Sequence, residues 1–568
     1  MAVDNASPSS AALGGLSGSD GGTLRRGGAK ASGTDAGGPS STRAVHPASA
    51  TTTAVVGVEQ QPAQTPAPGS DRGPRSIRSI PSLVRHSVLT FGKFVGPGFM
   101  IAVAYIDPGN YATGIAAGAS YRFRLLFIVL LSNIFAIFLQ GLCVKLGTVT
   151  GLNLAEACRA FLPRWLNYAL YAMAEIAIIA TDLAEVIGTA IAINLLIPQI
   201  PLVAGCAISI LDVMIILLFY NPNGSMRGLR AFESFVVLLV LAVVVCFCIQ
   251  MSLIRDTPVA QVFQGYLPSK AVVEQRGLYQ ACGILGATVM PHSLYLGSGI
   301  VQARLREYDV NKGLMPIDNP NSSSINEGSE KNIYIPSLRA IRHCMKYSIV
   351  ELSTSLFTFA LFINSAILII AGASLYGSAE AQGDDIFAIH DLLSRSLGKG
   401  AGVLFALALL LSGVSAGIVC TIAGQMVSEG ALSWNIRPWL RRLITRSMSI
   451  TPSIIIAGAV GREGLDTALN ASQVALSVVL PFVSAPLIYF TCMNKYMKVL
   501  PGRARYSVPE DEDNDAHDDR NPSDGLGTQL ENVKMANSMP VVIIAAVIWL
   551  IIAAMNVANL VLLGLGKE

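Results

Sequence analysis

The chain has 568 residues, 52% hydrophobic and only 14% charged; a soluble domain carries roughly 25% charged residues, so a string of soluble domains is excluded and a membrane is implied as solvent. A formal net charge of +3 provides no basic surface for nucleic acid. The nine cysteines are odd in number, contain no CxxC pair and fall mostly in apolar runs, where Cys behaves as a small hydrophobe, which excludes a disulfide framework and a structural zinc centre.

Residues 1–85 are rich in Ser, Gly, Ala, Thr and Pro and poor in large apolar groups. Such a segment cannot bury enough apolar area to offset its ordering entropy, so it reads as a disordered cytosolic tail, available to cytosolic regulators, and not as a secretory signal. Beyond it, about eleven apolar runs reach the roughly 20 residues that a spanning helix needs: 88–119, 123–149, 166–196, 202–220, 230–253, 276–304, 338–371, 399–430, 437–459, 464–496 and 538–564. The expected fold is an all-α integral membrane protein. Helices 1–10 form a core over 86–499 with a cytosolic insertion near 306–336. A polar cytosolic linker over 500–537 leads to an eleventh helix in 538–568. Both insertions read as mobile.

Lys and Arg concentrate in alternate short loops, including Arg159 and Arg164, Arg227 and Arg230, Arg304 and Arg306, and Lys495, Lys498 and Arg503. By the positive-inside rule these loops and the first tail are cytosolic. An odd number of spans then puts the C-terminus outside, in a multi-pass protein of the plasma membrane or of an endosomal or vacuolar membrane.

Spans one and six each carry a proline near the middle of an apolar run, the sequence pointer to an inverted-repeat transporter with a midplane site. The first reads Ala104-Tyr105-Ile106-Asp107-Pro108-Gly109-Asn110 and the second Ala287-Thr288-Val289-Met290-Pro291-His292. Proline removes a backbone donor and clashes with the preceding turn, freeing carbonyls such as those of Ala104 and Ala287. Asp107 is a charge that is costly at this depth unless paired or functional, and Asn110 adds a neutral oxygen. Met290 offers a thioether. Alone, a Met in an apolar helix fills a gap; opposite an acidic break it becomes a candidate ligand. Carboxylate, amide and carbonyl oxygens suit Mg2+, Ca2+ and Mn2+ alike, whereas a soft sulfur shifts preference toward Mn2+, Fe2+, Co2+ or Cd2+.

Among the six histidines, His292 lies at the break of expected span six and reads as a proton carrier or a satisfied core histidine. Span three carries Asp182 and Glu185 at i,i+3, with Glu175 seven residues before Asp182. These acids read as a water-filled proton path, as partners of Arg441, Arg442 or Arg446 in span nine, or as both. Asp212, Glu233 and Glu351 lie nearer helix ends and read as structural. Gln473 in span ten is too polar to leave unpaired, and reads as an ion contact in one state or an interhelical hydrogen bond.

The DPGN of span one, the MPH of span six and Asp182-x-x-Glu185 of span three resemble the Nramp family of proton-coupled divalent-metal transporters. The similarity runs from about residue 88 to 496 and includes Ala423-Gly424-Gln425 and the run from Ser472-Gln473 to Pro481-Phe482. The long tail and large sixth-to-seventh loop are most like fungal manganese-transporting members. The resemblance implies a LeuT-like 5+5 inverted repeat with helices 1 and 6 interrupted. It implies metal binding by the side chains of Asp107, Asn110 and Met290 and the carbonyls of Ala104 and Ala287, with Gln473 joining on occlusion. Proton transfer would fall to Asp107, Asp182, Glu185 and His292, accompanied by Arg441 and Arg442. No catalytic residue and no resident cofactor follow; the cargo would be Mn2+ or Fe2+, coupled to H+ and carried into the cytosol by alternating access. Two other readings compete: a Na+-coupled organic-solute symporter on the same fold, which Asp107 and Met290 together disfavour, and a metal-sensing membrane receptor. An enzyme is not expected, since no nucleophile–base constellation or nucleotide motif occurs.

Overall fold

The computed structural model describes residues 96–218, 226–254, 257–315, 333–377, 386–432, 438–507 and 532–565. Contacts divide the chain into Met1–Arg75 and Ser76–Glu568, and every described residue falls in the second unit. The expected disordered tail, and most of the two expected insertions, lie outside the described residues.

The first span is two short helices, α1 (Pro97–Val103) and α2 (Pro108–Tyr121), each with proline in its first turn, where the missing N–H is no loss. Helix α3 (Leu126–Thr150) ends on Gly151 in the left-handed conformation, φ 72°. A short α4 (Leu154–Phe161) follows, opened by a capping box between Asn153 and Glu156. Then come α5 (Arg164–Leu196), α6 (Leu202–Leu218), α7 (Met226–Leu253) and α8 (Val259–Gln264).

The sixth span repeats the design of the first: α9 (Gln275–Thr288) stops, α10 (Pro291–Gly299) restarts, and α11 (Gln302–Asn311) carries the chain on. The seventh is α12 (Leu338–Ser355), a π turn over Leu356–Ala360, and α13 (Leu361–Ser374). The remainder is α14 (Ile386–Ser396), α15 (Lys399–Leu432), α16 (Pro438–Ala459), α17 (Arg462–Cys492) and α18 (Met539–Gly564). All eleven expected spans fall on helices, and the first and the sixth are each broken near the middle. Among the described residues, eight helical stretches are long and apolar enough to cross a bilayer, the broken sixth span and the seventh each taken as one stretch. The difference from eleven has physical causes. The first span is split into pieces of 7 and 14 residues, α6 is described over 17 residues, and α16 carries arginines in its first half.

Three features hold the first half-helix in place. Gly96, at φ 148°, and Gly98 both donate their N–H groups to Glu351 Oε1, at 2.8 and 3.0 Å. A Cβ on Gly96 would collide with Glu233 Oε2, so only glycine allows that approach. Glu233 in turn accepts from Arg304 at 2.5 Å, with both side chains 3% exposed. The π turn inserts an extra residue into the helical register, and the span reaches α1 on one side of it with Glu351 and the first break on the other with Asn364.

The ends of the two expected insertions are ordered and joined. Strand β1 (Ile333–Ile335) pairs antiparallel with β3 (Arg505–Ser507), and β2 (Lys498–Val499) with β4 (Val533–Lys534). Asp309, fully buried, accepts from Tyr334 Oη at 2.6 Å and from Ser337 N at 3.0 Å. The insertion read from residue 306 thus starts as continued helix, to Asn311.

Candidate metal site

Breaking a helix in hydrocarbon exposes carbonyls that each cost several kcal/mol if left alone. The residue four positions after Ala104 is Pro108, and four after Ala287 is Pro291; neither has an N–H, so neither alanine carbonyl can make its helical bond. Around the first break, neighbouring spans meet the loosened carbonyls: Asn364 Nδ2 of α13 donates to Tyr105 O at 2.9 Å, and Ser412 of α15 donates to Ile106 O.

Asp107 caps α2. Its carboxylate accepts from Gly109 N at 3.2 Å and Asn110 N at 3.0 Å, the ordinary reason for an Asp at this position. Asn110 then links the two breaks. Its Nδ2 donates to Asp107 Oδ1 at 2.6 Å and to Ala287 O at 2.9 Å. One carboxylate and one freed carbonyl therefore face a common point, now occupied by amide protons. The amide oxygen of Asn110 is turned the other way and accepts from Thr288 Oγ1 at 3.5 Å; a half-turn of the amide would bring three oxygens to that point. Met290 lies across the second break as the cap residue of α10 and is fully buried. Gln473 is also fully buried. A Cβ on Gly109 would collide with its amide head, so the Gln473 head lies on the first break. Its Nε2 donates to Ser472 Oγ at 3.0 Å, and its Oε1 has no hydrogen-bond partner among the described residues.

On the α1 side of the breaks, Tyr105 Oη stands 3.0 Å from Ser293 Oγ, and Gln140 Nε2 of α3 donates to Tyr105 Oη at 2.9 Å and Ser293 O at 2.9 Å. All three residues are buried, so the site is closed on this side. The motifs did not single out Tyr105, Gln140, Ser293, Asn364 or Ser412. The available signal was a lone polar side chain inside an apolar run, which is rare in membrane helices and rarely idle.

The acids of α5 form a separate buried cluster. Arg446 pairs with Asp182 and stands 3.4 Å from Glu185, and Cys420 brings its sulfur within 4.8 Å of both carboxylates. The side chains of Arg441 and Arg442 lie outside the described residues; among the described side chains, Arg446 meets the acids. This cluster is close to the first break through α5, because a Cβ on Gly188, one turn after Glu185, would collide with the Pro108 ring. His292 is buried, with Nδ1 3.3 Å from Thr181 Oγ1 on the same helix as the acids.

Comparison with known proteins gives one consistent answer. The family model described as natural resistance-associated macrophage protein-like matches residues 98–507. Manganese transporter SMF1 of Saccharomyces cerevisiae is 52% identical over 83% of this chain and 86% of its own length. Iron transporter SMF3 of the same yeast is 47% identical over 82% of this chain and 95% of its own. Among solved structures, the manganese transporter of Eremococcus coleocola superposes with a TM-score of 0.63 at 29% identity, covering 82% of this chain and 85% of that one.

Proposed function

The chain belongs to the Nramp family, a family of membrane transporters and not enzymes, and on that premise we propose that it carries Mn2+, with Fe2+ as a second cargo, into the cytosol in symport with protons. The observation that carries this reading is the bridge from Asp107 through Asn110 to Ala287 O. It gathers an anionic oxygen and a neutral carbonyl oxygen around the Asn110 amide between two helix breaks, beside a buried thioether. Oxygens alone would serve Ca2+ and Mg2+ as well; the Met290 sulfur tilts the set toward transition metals. The carbonyls of Ala104 and Ala287 and the Gln473 amide complete the set when the ion is enclosed.

Proton transfer is assigned to Asp107, His292 and the Asp182–Glu185 pair. The pair shares one guanidinium, Arg446, so two carboxylates face one fixed positive charge in a low-dielectric site. Two anions against one cation leave a net negative charge that a single proton cancels, and this makes the pair a stopping place for that proton. The Gly188–Pro108 contact passes any movement of α5 to the first break. The Lys- and Arg-rich loops set the cytosolic side, with the N-terminus inside, in the plasma membrane or an endosomal or vacuolar membrane.

The test is Mn2+ uptake into proteoliposomes holding the purified full-length chain, with and without an inward proton gradient. Uptake that accelerates with the gradient is expected. Correctly folded protein that moves no Mn2+ under either condition would overturn the reading. Uptake indifferent to the gradient would remove the proton coupling and leave metal carriage.

A further inference from the structure

The seventh span runs over 37 residues, about 56 Å at 1.5 Å per residue, against a hydrocarbon core of about 30 Å. It therefore reaches well into the headgroups or beyond them. The exposed side chains of α12 and the π turn include one stripe: Arg339, Arg342, Lys346, Val350, Thr354 and Phe357. Their steps of three and four residues put them on one helix face. The chemistry of the stripe changes once along its length. Three bases come first; beyond them Val350 is 47% and Phe357 60% exposed. Thr354 does not interrupt the apolar part, because its hydroxyl donates to Val350 O at 2.8 Å. A free charge is costly in hydrocarbon, so the edge of the bilayer core falls between Lys346 and Val350. Arg339 to Lys346 then covers roughly 10 Å of helix axis, enough to cross a headgroup layer of about 5–8 Å.

These bases lack a counter-charge. Among the described residues the ion pairs engage Arg230, Arg304, Arg395 and Arg446, and none of the three. The acids of the neighbouring turns are committed elsewhere. Glu307 pairs with Arg230, Asp309 accepts from Tyr334 and Ser337, and Glu351 accepts from Gly96 and Gly98. Arg339 also sits in the first turn of α12, just past the Ser337 cap, where the helix end is itself partly positive and a base is unfavourable. A further base stands close by. Tyr308 of α11 packs on His343, and His343 on Tyr347, with ring centroids 4.9 Å apart in both pairs. Lys312, the C-cap of α11, lies near enough to His343 for its charge to act on that ring. The general excess of bases in cytosolic loops accounts for their side of the membrane. It does not account for three unpaired bases on one helix face, in line with a lipid-facing strip.

We propose that Arg339, Arg342 and Lys346 bind the headgroup of an anionic phospholipid in the cytosolic leaflet, with its acyl chains lying along Val350 and Phe357. Three bases on one face suit a headgroup that carries more than one negative charge, such as a phosphorylated inositol. A soluble phosphate would use only the basic half of the stripe; a lipid uses both halves. The choice of leaflet rests on the orientation given under the proposed function, and the binding itself depends on no particular cargo. On its buried side the same helix carries Glu351, which holds Gly96 and Gly98, so a lipid on this face steadies the helix to which the first half-helix is tied.

The test places the purified full-length chain in phosphatidylcholine vesicles. Electron spin resonance then reads how strongly spin-labelled phosphatidylinositol phosphate associates with it, relative to spin-labelled phosphatidylcholine, at about 10 mM ionic strength. Each base near the surface is worth about fivefold, so wild type is expected to prefer the anionic lipid by tenfold or more. Replacing all three bases (Arg339→Gln, Arg342→Gln, Lys346→Gln) should lower that preference about tenfold. A control with the same charge removed from other exposed positions on that side (Lys498→Gln, Arg503→Gln, Lys534→Gln) should stay within about twofold of wild type. Wild type without a preference would overturn the proposal. Equal losses in the two triple variants would overturn it too, since the field of the whole face and not a site would then be at work. Displacement of the labelled lipid by micromolar soluble inositol phosphate would overturn the lipid as occupant. Lys346→Gln alone should lose about fivefold; an unchanged preference there contradicts the proposal even if the triple variant does not fold. The readout needs neither Mn2+ uptake nor a fixed orientation in the vesicle, so its failure is distinct from failure of the transport reading.

Discussion

At the first break the cap of the new helix is Asp107, which accepts two backbone N–H groups; at the second it is Met290, which makes no side-chain cap bond at all. At the first break the acid satisfies its own helix end, while Asn364 and Ser412 of other spans meet its carbonyls. The second has no acid of its own. Ala287 O depends on Asn110 across the gap, and Met290 O is met one turn on by Ser293 Oγ at 2.7 Å. The same proline-made opening thus provides charge on one side and a soft, uncharged donor with a borrowed hydrogen bond on the other. A site split this way separates two roles, holding any divalent cation and choosing among them.

The sharpest way to break that division is Asp107→Asn. Asn caps a helix as well as Asp does, so the fold should persist with its thermal stability within about 1 kcal/mol, while Mn2+ affinity by isothermal titration falls by roughly a hundredfold or more, beyond the 10–100-fold typical of outer-shell losses. Retained affinity would show that the charge is not what holds the ion. Next in size is Gly286→Ala on α9. Its Cβ would collide with the Gln473 backbone carbonyl, an overpacking expected to cost about 1–3 kcal/mol, visible as a lowered melting temperature in detergent. Met290→Ala probes the selective side of the site. Mn2+ uptake should continue while discrimination against Ca2+ narrows by roughly three- to tenfold. Undiminished discrimination would assign selectivity to some other group. The smallest effect belongs to Gly109→Ala, whose Cβ has the movable amide head of Gln473 as its nearest neighbour. A loss of Mn2+ affinity of about threefold or less is expected, and a larger loss would mean that Gln473 already contributes in this state.

The breaks are legible in the sequence because proline acts locally: its missing N–H and its clash fall on residues within one turn. The spans are legible for a similar reason, since the bilayer asks each for about 20 apolar residues in succession. What ties the breaks down is not legible. Gln140 reaches Ser293 over 153 positions and Asn364 reaches Tyr105 over 259, and a lone amide in an apolar run does not name its partner. The same limit explains the arginine. Arg441, Arg442 and Arg446 lie on one helix, and the sequence does not show that Arg446 pairs with Asp182, because that depends on the register of α16 against α5. Glu233 and Glu351, read as structural, do bind structure, yet their partners are Arg304 and two glycine N–H groups that no motif marks. The segment at 333–335, read as part of a mobile insertion, forms a strand whose partner lies beyond the tenth span, a pairing too short and too distant for a sequence pattern to reveal.

The division of the site between charge and sulfur is tested most directly by a crystal structure of the Mn2+-soaked protein, with data collected at the manganese absorption edge. An anomalous peak is expected between the two breaks, within coordination distance of Asp107, the Asn110 amide oxygen and the Met290 sulfur. A peak at the Asp182–Glu185–Cys420 cluster, with none between the breaks, would contradict it.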